Sequence, residues 1–503
     1  MKRSLLCLVW LAGCASVPPP PPRVVPPPPP VPPAIAVEPP RVTPDAPFRA
    51  HAPAAGPAVA FVPPAIQAFT LKNGLRVLLV ERHDLPIVSV RVVVKAGAGD
   101  APSQPPGLVS FMGTMLEQGT KTRTALEVND QYEAIGAVHG AWVDWDSGGA
   151  SVKVTPDKLD AALDLLGDVL LHPAFPDSEI ERLKARRLAS IRQEKNNPGT
   201  MGSNAIAASL YGRSHPYGHS LSGQEKDVAT LTRAELVKAH AALFASSRTQ
   251  IVVAGDVTKD ALRKKLEPAF GTWRTAGGAI VPPKAPPPQK GEARVVWVDK
   301  PGAPQSVVRL AEVGVPRSTP DRDAIQVMNA ILGGMFSSRI NLNLREAHAY
   351  TYGASSSFQM RHGPGHFSAG GNIVADKTAP AVVELFKELR AIREKPVSDE
   401  ELENAKQNIE AAMPGRFETV FEVTSALADL VVYDLPLDEY ATRPARIEKI
   451  TADDVQKAAR AHLHPDAVKV VVVGDRAAVE PSLETLHLGA VDDRDAYGDP
   501  LAQ

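Results

Sequence analysis

The feature that most narrows the fold is a repeat inside the chain. Thr232 precedes a helical stretch and the apolar run IVVAGD, which reaches Gly255 after 255 − 232 = 23 residues. Thr451 precedes a second helical stretch and the run VVVVGD, which reaches Gly474 after 474 − 451 = 23 residues. PDSEIERLK around Asp177 likewise pairs with VSDEELENAK around Asp399, at an offset of 222 against 219 for the threonines. Two matches at nearly one offset predict a duplicated unit of roughly 220 residues, large enough to hold its own core.

Folding is expected to start near Ala68. FTLKNGLRVLLV reads as two strands joined by an Asn73-Gly74 hairpin, and a third, β-branched strand follows. A polar helix around 124–135 comes next, then a strand-like passage over 139–155 and helices around 156–171 and 177–195. Alternating strands and helices also suit a parallel doubly wound sheet. No glycine-rich phosphate loop follows the first strand, however, and the opening hairpin is antiparallel. The fold class expected is therefore α+β: two homologous halves, each a mainly antiparallel sheet packed by helices. The proline-rich stretch over 276–291 is the natural boundary between them.

A net charge of −2 over 503 residues gives no electrostatic case for nucleic acid as a partner. The start, MKRSLLCLVWLAGC, joins two basic residues to a short apolar run and ends in a sequence resembling a bacterial lipobox. In that reading Cys14 is acylated and becomes the mature N-terminus, a lipid anchor to the membrane. Ser16 stands where an Asp would hold a Gram-negative lipoprotein in the inner membrane, so a periplasmic protein on the outer membrane is expected. Residues 15–66 carry two runs of five prolines and form a tether. As polyproline II it would reach on the order of 150 Å.

The stretch GLVSFMGTMLEQGT, residues 107–120, resembles the zinc-helix segment of the pitrilysin/insulinase/mitochondrial-processing-peptidase family, typically GLAHFLEHMLFKGT. In that family H-x-x-E-H sets two zinc-binding His on one helix face, with the Glu as general base. Those positions here are Ser110, Gly113 and Thr114. A hydroxyl is a poor zinc ligand and glycine has no side chain to accept a proton. The third ligand, a Glu about 76 residues further on in the family, falls on Ser190, with Glu194 out of register. The resemblance thus implies a member with no zinc and no cofactor of its own.

FSSRINLNLREAHAYTYG, residues 336–353, resembles the family's SSRLxxxLREKRGLAYSV. There an Arg and a Tyr reach the substrate beside the metal; they fall on Arg345 and Tyr352, with Tyr350 where Leu is usual. Ala141-Trp142-Val143 resembles the substrate-pairing strand, without its usual Asn and Thr. His215 with His219, and His362 with His366, are four apart but broken by Gly and Pro, and are not read as metal sites. Asp144 and Asp146 are read as solvated, and Gly333-Gly334 resembles only faintly the glycine-rich loop of the mitochondrial alpha subunit.

The resemblance implies a clamshell-type fold. It divides the chain into a lipoprotein signal (1–14), a tether (15–66), an N-terminal peptidase-like domain with a degenerate zinc site (67–275), a linker (276–291), a C-terminal peptidase-like domain (292–485) and a tail (486–503). It also implies a role: the non-catalytic subunit of a heteromeric periplasmic zinc metallopeptidase. Arg345 and Tyr352 would act in trans beside a paralogue with intact H-x-x-E-H, which holds the zinc, on an unfolded peptide. The alternative is a stand-alone peptide-binding or scaffold lipoprotein of the envelope.

Replacing Cys14 by Ser should release the protein from the membrane fraction and abolish incorporation of labelled palmitate. A variant that stays with membranes, beside a wild type that takes up no label, would refute the lipobox reading.

Overall fold

Each half of the chain is built around central strands that are apolar on both faces. The computed structural model describes residues 46–47, 61–101, 104–286 and 294–501, so the signal, Cys14 and nearly all of the tether lie outside the described residues. The first sheet comprises β1 (Gln67–Thr70), β2 (Arg76–Glu81), β3 (Val88–Val94), β4 (Val138–Val143), β5 (Gly148–Val154) and β6 (Thr249–Gly255), in the order β1-β2-β6-β3-β5-β4. The second comprises β7 (Arg294–Asp299), β8 (Gln305–Val313), β9 (Ala354–Phe358), β10 (His366–Val374), β11 (Lys469–Gly474) and β12 (Val491–Arg494), in the order β12-β7-β11-β8-β10-β9.

Five strands of each sheet follow one plan, β2-β6-β3-β5-β4 against β7-β11-β8-β10-β9, so the duplication is visible in the topology. Pairing is mainly antiparallel, but β2–β6, β7–β11 and β7–β12 are parallel. The opening β1–β2 hairpin turns through Gly74 at φ 95°, a conformation open to glycine. The stretch set apart as a tail differs from expectation. It supplies β12 at the sheet edge, and Arg213 of the first half then holds Asp499 at 2.5 Å. VDDR has no apolar alternation, and backbone pairing and ion pairs leave no hydropathy pattern to read.

The helices packed around these sheets include α1 (Leu108–Met115), α2 (Asp177–Glu194), α3 (Pro198–Tyr211), α4 (Arg233–Leu243), α5 (Arg322–Asn329), α6 (Asp399–Ala411), α7 (Val420–Val432) and α8 (Ala452–His462). The repeated helices α4 and α8 start alike, with Thr232 and Thr451 in capping boxes closed by Glu235 and Asp454. Alternate strand residues point to opposite faces. Val77, Leu79, Ile251 and Val253 enter the first half's own core, whereas Leu78, Val80, Val252 and Ala254 enter a second cluster with Val423, Leu427, Leu430 and Val431 of α7. The second sheet repeats this: Val296, Val298, Val471 and Val473 pack on Met201, Ala205, Ile206 and Leu210 of α3.

The halves therefore exchange helices. Each sheet is covered on one face by its own half and on the other by a helix of its neighbour. This accounts for the unbroken apolar runs, since a strand buried on both faces needs no polar alternation. Among the described residues no helix is long and apolar enough to cross a membrane. The described part of the 276–291 stretch is held against the first half, with the Gly278 carbonyl accepting from Arg248 at 2.6 Å and that of Lys284 from His215 at 2.9 Å.

A second tie joins the halves. The β9–β10 loop carries Arg361, whose guanidinium lies 4.5 Å from the Trp145 ring and 4.6 Å from that of Tyr217. The next residue, His362, donates its amide to both Asp146 oxygens at 3.1 Å and its Nε2 proton to the Val432 carbonyl at 2.9 Å. Tyr433 donates to the same carboxylate at 3.0 Å. Asp146 is thus buried and bonded, where the sequence suggested a solvated side chain. It lies at the hairpin tip that the other half's loop covers, a contact no local pattern encodes.

Burial opposes charge on His362, but its hydrogen bond to the Val432 carbonyl and the charges of Asp100 and Asp146 outweigh it and raise its pKa to about 9. Because this lies above the ordinary value, the stabilisation is complete below pH 6.5 and is lost as pH rises through about 9. The unfolding free energy, measured with denaturant, should fall by up to about 3 kcal/mol across that window, and His362→Gln should flatten the profile. An unchanged pH dependence in the variant would show that His362 does not carry the tie.

Candidate functional site

α1 buries Leu108, Phe111, Met112 and Met115 in the first half's core, and this packing fixes where the residues between them stand. Ser110 is buried, and its hydroxyl donates to the Leu221 carbonyl at 2.6 Å. The same oxygen accepts from Arg187 of α2, whose Nη1 lies 3.2 Å away. Arg187 also approaches the Ser222 carbonyl at 3.5 Å and the Phe111 ring at 5.8 Å. Burial lowers the pKa of this guanidinium, yet arginine stays charged in proteins. A fixed cation thus rests on the residue at the first ligand position.

The other positions are equally committed. Thr114 is exposed and donates back to the Phe111 carbonyl at 2.7 Å. Ser190, three residues beyond Arg187, donates to the Glu194 carboxylate at 2.8 Å. Arg187 is the residue that sequence reasoning missed. Its signal was available, since residues three apart share a helix face and Ser190 marks the face in question.

Gly113 shows why the base is gone. A Cβ there would lie 2.8 Å from the Val143 amide nitrogen and 2.9 Å from Val143 Cγ2, with the Trp142 carbonyl carbon at 3.1 Å. The helix and the edge strand β4 meet with no room for a side chain. The second half repeats the contact at 333 − 113 = 220 residues, the offset of the duplication: a Cβ on Gly333 would lie 2.3 Å from the Ser356 nitrogen of β9. Phe111-Met112-Gly113 and Ile331-Leu332-Gly333 therefore occupy equivalent positions, although Gly333 belongs to a π-helical turn (Ala330–Gly334) and Gly113 to an α-helix. These residues do not fit a zinc ion, which would need imidazole or carboxylate donors here and would meet the charge of Arg187. Among the described residues no three His, Cys, Asp or Glu side chains group as metal ligands.

Ala141-Trp142-Val143 closes β4, the outermost strand of its sheet. The Trp142 ring is occupied: the Arg91 guanidinium lies 4.7 Å from it and 5.1 Å from Phe421 of α7. His215 and His219 are held by the Lys284 and Ser220 carbonyls, and burial lowers both pKa values. Burial, with Arg361 nearby, lowers His366 to about 4.

Arg345 and Tyr352 have few commitments. Arg345 belongs to a π-helical turn, Leu342–Ala347, a form frequent at functional sites. Its guanidinium stacks 4.6 Å from the exposed Phe336 ring, and its ion pair is with its own neighbour Glu346 at 3.5 Å. Tyr352 is 91% exposed and makes no hydrogen bond among the described residues. Between them Ala349, where the family motif has Gly, holds φ at 53°, a left-handed conformation that costs an alanine about 1 kcal/mol. Among the described residues no hydrogen bond or ion pair joins Arg345 or Tyr352 to Ser110 or Thr114.

Comparison with known proteins agrees with this geometry. Residues 76–223 match the model of the insulinase family, peptidase family M16, and residues 230–409 match that of the M16 peptidase inactive domain. An uncharacterised zinc protease of Mycobacterium leprae is 25% identical over 340 residues, 68% of this chain and 76% of that protein. A non-peptidase homologue of Helicobacter pylori is 22% identical over 413 residues, 80% of this chain and 92% of its own. The crystal structure of an M16 inactive domain from Pseudomonas fluorescens superposes with a TM-score of 0.76 at 25% identity, over 82% of this chain and 99% of that one.

Gly113→Ala should cost about 1–3 kcal/mol by overpacking, measured by chemical unfolding, and Gly333→Ala a comparable amount. Wild-type stability in both variants would mean that the edge strands give way freely.

Proposed function

The chain belongs to the insulinase family of M16 peptidases, as a member without the zinc motif, and from that premise we propose that it is the non-catalytic subunit of a two-chain peptidase of the periplasm. Its partner is a paralogue that carries H-x-x-E-H and the zinc. This chain contributes Arg345 and Tyr352 in trans, and Cys14 anchors it by lipid. The observation that carries the reading is the contrast between two regions of one molecule. The ligand and base positions are filled by Arg187, a carbonyl and a strand, whereas Arg345 is engaged only by its neighbours Glu346 and Phe336 and Tyr352 is exposed.

The chemistry suits that division. As water attacks a peptide carbonyl, charge develops on its oxygen, and donors fixed in advance lower the barrier most. The Arg345 guanidinium is braced on Phe336, and the exposed Tyr352 phenol would be fixed by the partner on assembly. An unfolded peptide would be held by strand addition at the free edge of β4, by backbone pairing that asks little of its sequence.

In the reconstituted pair, Arg345→Ala or Tyr352→Phe should lower kcat about 10²–10³-fold, the usual cost of losing one such donor, with assembly intact. A fall in kcat at nearly constant KM marks action in the transition state. If both variants assemble and cleave at the wild-type rate, the chain is a scaffold or peptide-binding lipoprotein and the donor assignment is wrong.

A further inference from the structure

Away from both regions, a cavity of about 420 Å³ opens between α5, the end of β9 and α7. Its polar lining includes two guanidiniums, Arg317 and Arg416, beside Gln326, Asn329, Ser357 and Asp429. Arg416 is paired with Asp429 and donates to the Tyr440 hydroxyl at 3.2 Å. Arg317 is placed by its backbone, whose amide donates to the Arg361 carbonyl at 2.7 Å. Its guanidinium lies 5.2 Å from the Tyr433 ring, and its Nε is buried without a partner. Among the described residues that guanidinium has no hydrogen-bond acceptor and no carboxylate within ion-pair distance.

The carboxylates nearby are already used. Asp323 pairs with Arg322, Arg443 and Arg446, and Glu439 with Arg322 and Arg446. Arg317, Arg322, Arg416, Arg443 and Arg446 thus make five guanidiniums around three carboxylates, Asp323, Asp429 and Glu439. Burial and repulsion from Arg322 act against the charge on Arg317 and outweigh the attraction of Asp429, which Arg416 already pairs, and it has no neutral form to retreat to. An anion entering the cavity would relieve that cost. Phe358 and Met360 supply an apolar wall beside the guanidinium, which suits an anion attached to hydrocarbon. Asp429 in the same lining repels a second negative charge and so disfavours a phosphate dianion.

We propose that this cavity is a binding site for a peptide carboxylate, received by Arg317 as a fork of two hydrogen bonds, with the adjoining side chain against Phe358 and Met360. The carboxylate is that of a chain terminus or of an acidic residue. Only the peptide nature of the ligand rests on the reading of the preceding subsection; the unmatched charge stands without it.

The test uses the purified full chain and fluorescent unstructured peptides in three forms. One has a free C-terminal carboxylate and no acidic residue, one is its C-terminal amide, and one is the amide with a single internal Glu. The free-acid or the Glu peptide should bind, and Arg317→Ala should weaken that binding roughly ten- to a hundredfold while the plain amide is unaffected. Which of the two binds identifies the source of the carboxylate. Should the alanine variant not fold by thermal melting, Arg317→Lys keeps the charge but loses the fork, and should still weaken binding roughly tenfold. Wild-type affinity in a folded Arg317 variant, or no binding of either carboxylate peptide, overturns the proposal. Loss of binding in Arg317 variants alongside normal cleavage by Arg345 and Tyr352 variants would keep the cavity and discard the subunit role; the reverse would discard the cavity alone.

Discussion

The helix exchange between the halves is the contact on which the rest depends. Without α7, Leu78, Val80, Val252 and Ala254 would face water, and without α3 so would Val296, Val298, Val471 and Val473. Each such valine or leucine is worth about 1.5–3 kcal/mol when buried, so neither sheet is complete inside its own half. The Arg361–His362 loop adds a polar tie at the same junction. The two halves are thereby one cooperative unit, although the sequence writes them as two copies.

That rigidity gives meaning to the meeting of α1 with β4. Gly113 touches the strand as closely as it does because the sheet is clamped on both faces and the helix is anchored by Phe111 and Met112. A catalytic half needs a carboxylate at that position; here the space belongs to backbone. The segment around Arg345 is built otherwise: a π-helical turn and a left-handed alanine hold side chains that make few contacts with the other described residues.

Much of this was legible in the sequence, and the rest was not for physical reasons. The duplication showed because strand and helix caps are local: Thr232 with Glu235, and Thr451 with Asp454, mark helix starts wherever they occur. The loss of the zinc set at Ser110, Gly113 and Thr114 showed because ligand chemistry depends on residue type. Arg187 on Ser110, Asp146 under His362 and β12 along β7 did not, since each joins residues far apart in sequence by a single polar or backbone contact. The continuous valine runs were visible, but not which helix would cover their second face.

The packing around Gly113 also bears on the direction in which such a chain can change. A histidine placed at 110 would displace the Arg187 hydrogen bond, and a glutamate at 113 would drive β4 off its helix. Each step toward a metal site costs stability before any metal can bind, because a single ligand holds zinc too weakly to compensate. The close contact at the glycine and the hydrogen bond from Arg187 thus act together, like a ratchet, against recovery of a metal site by one substitution at a time.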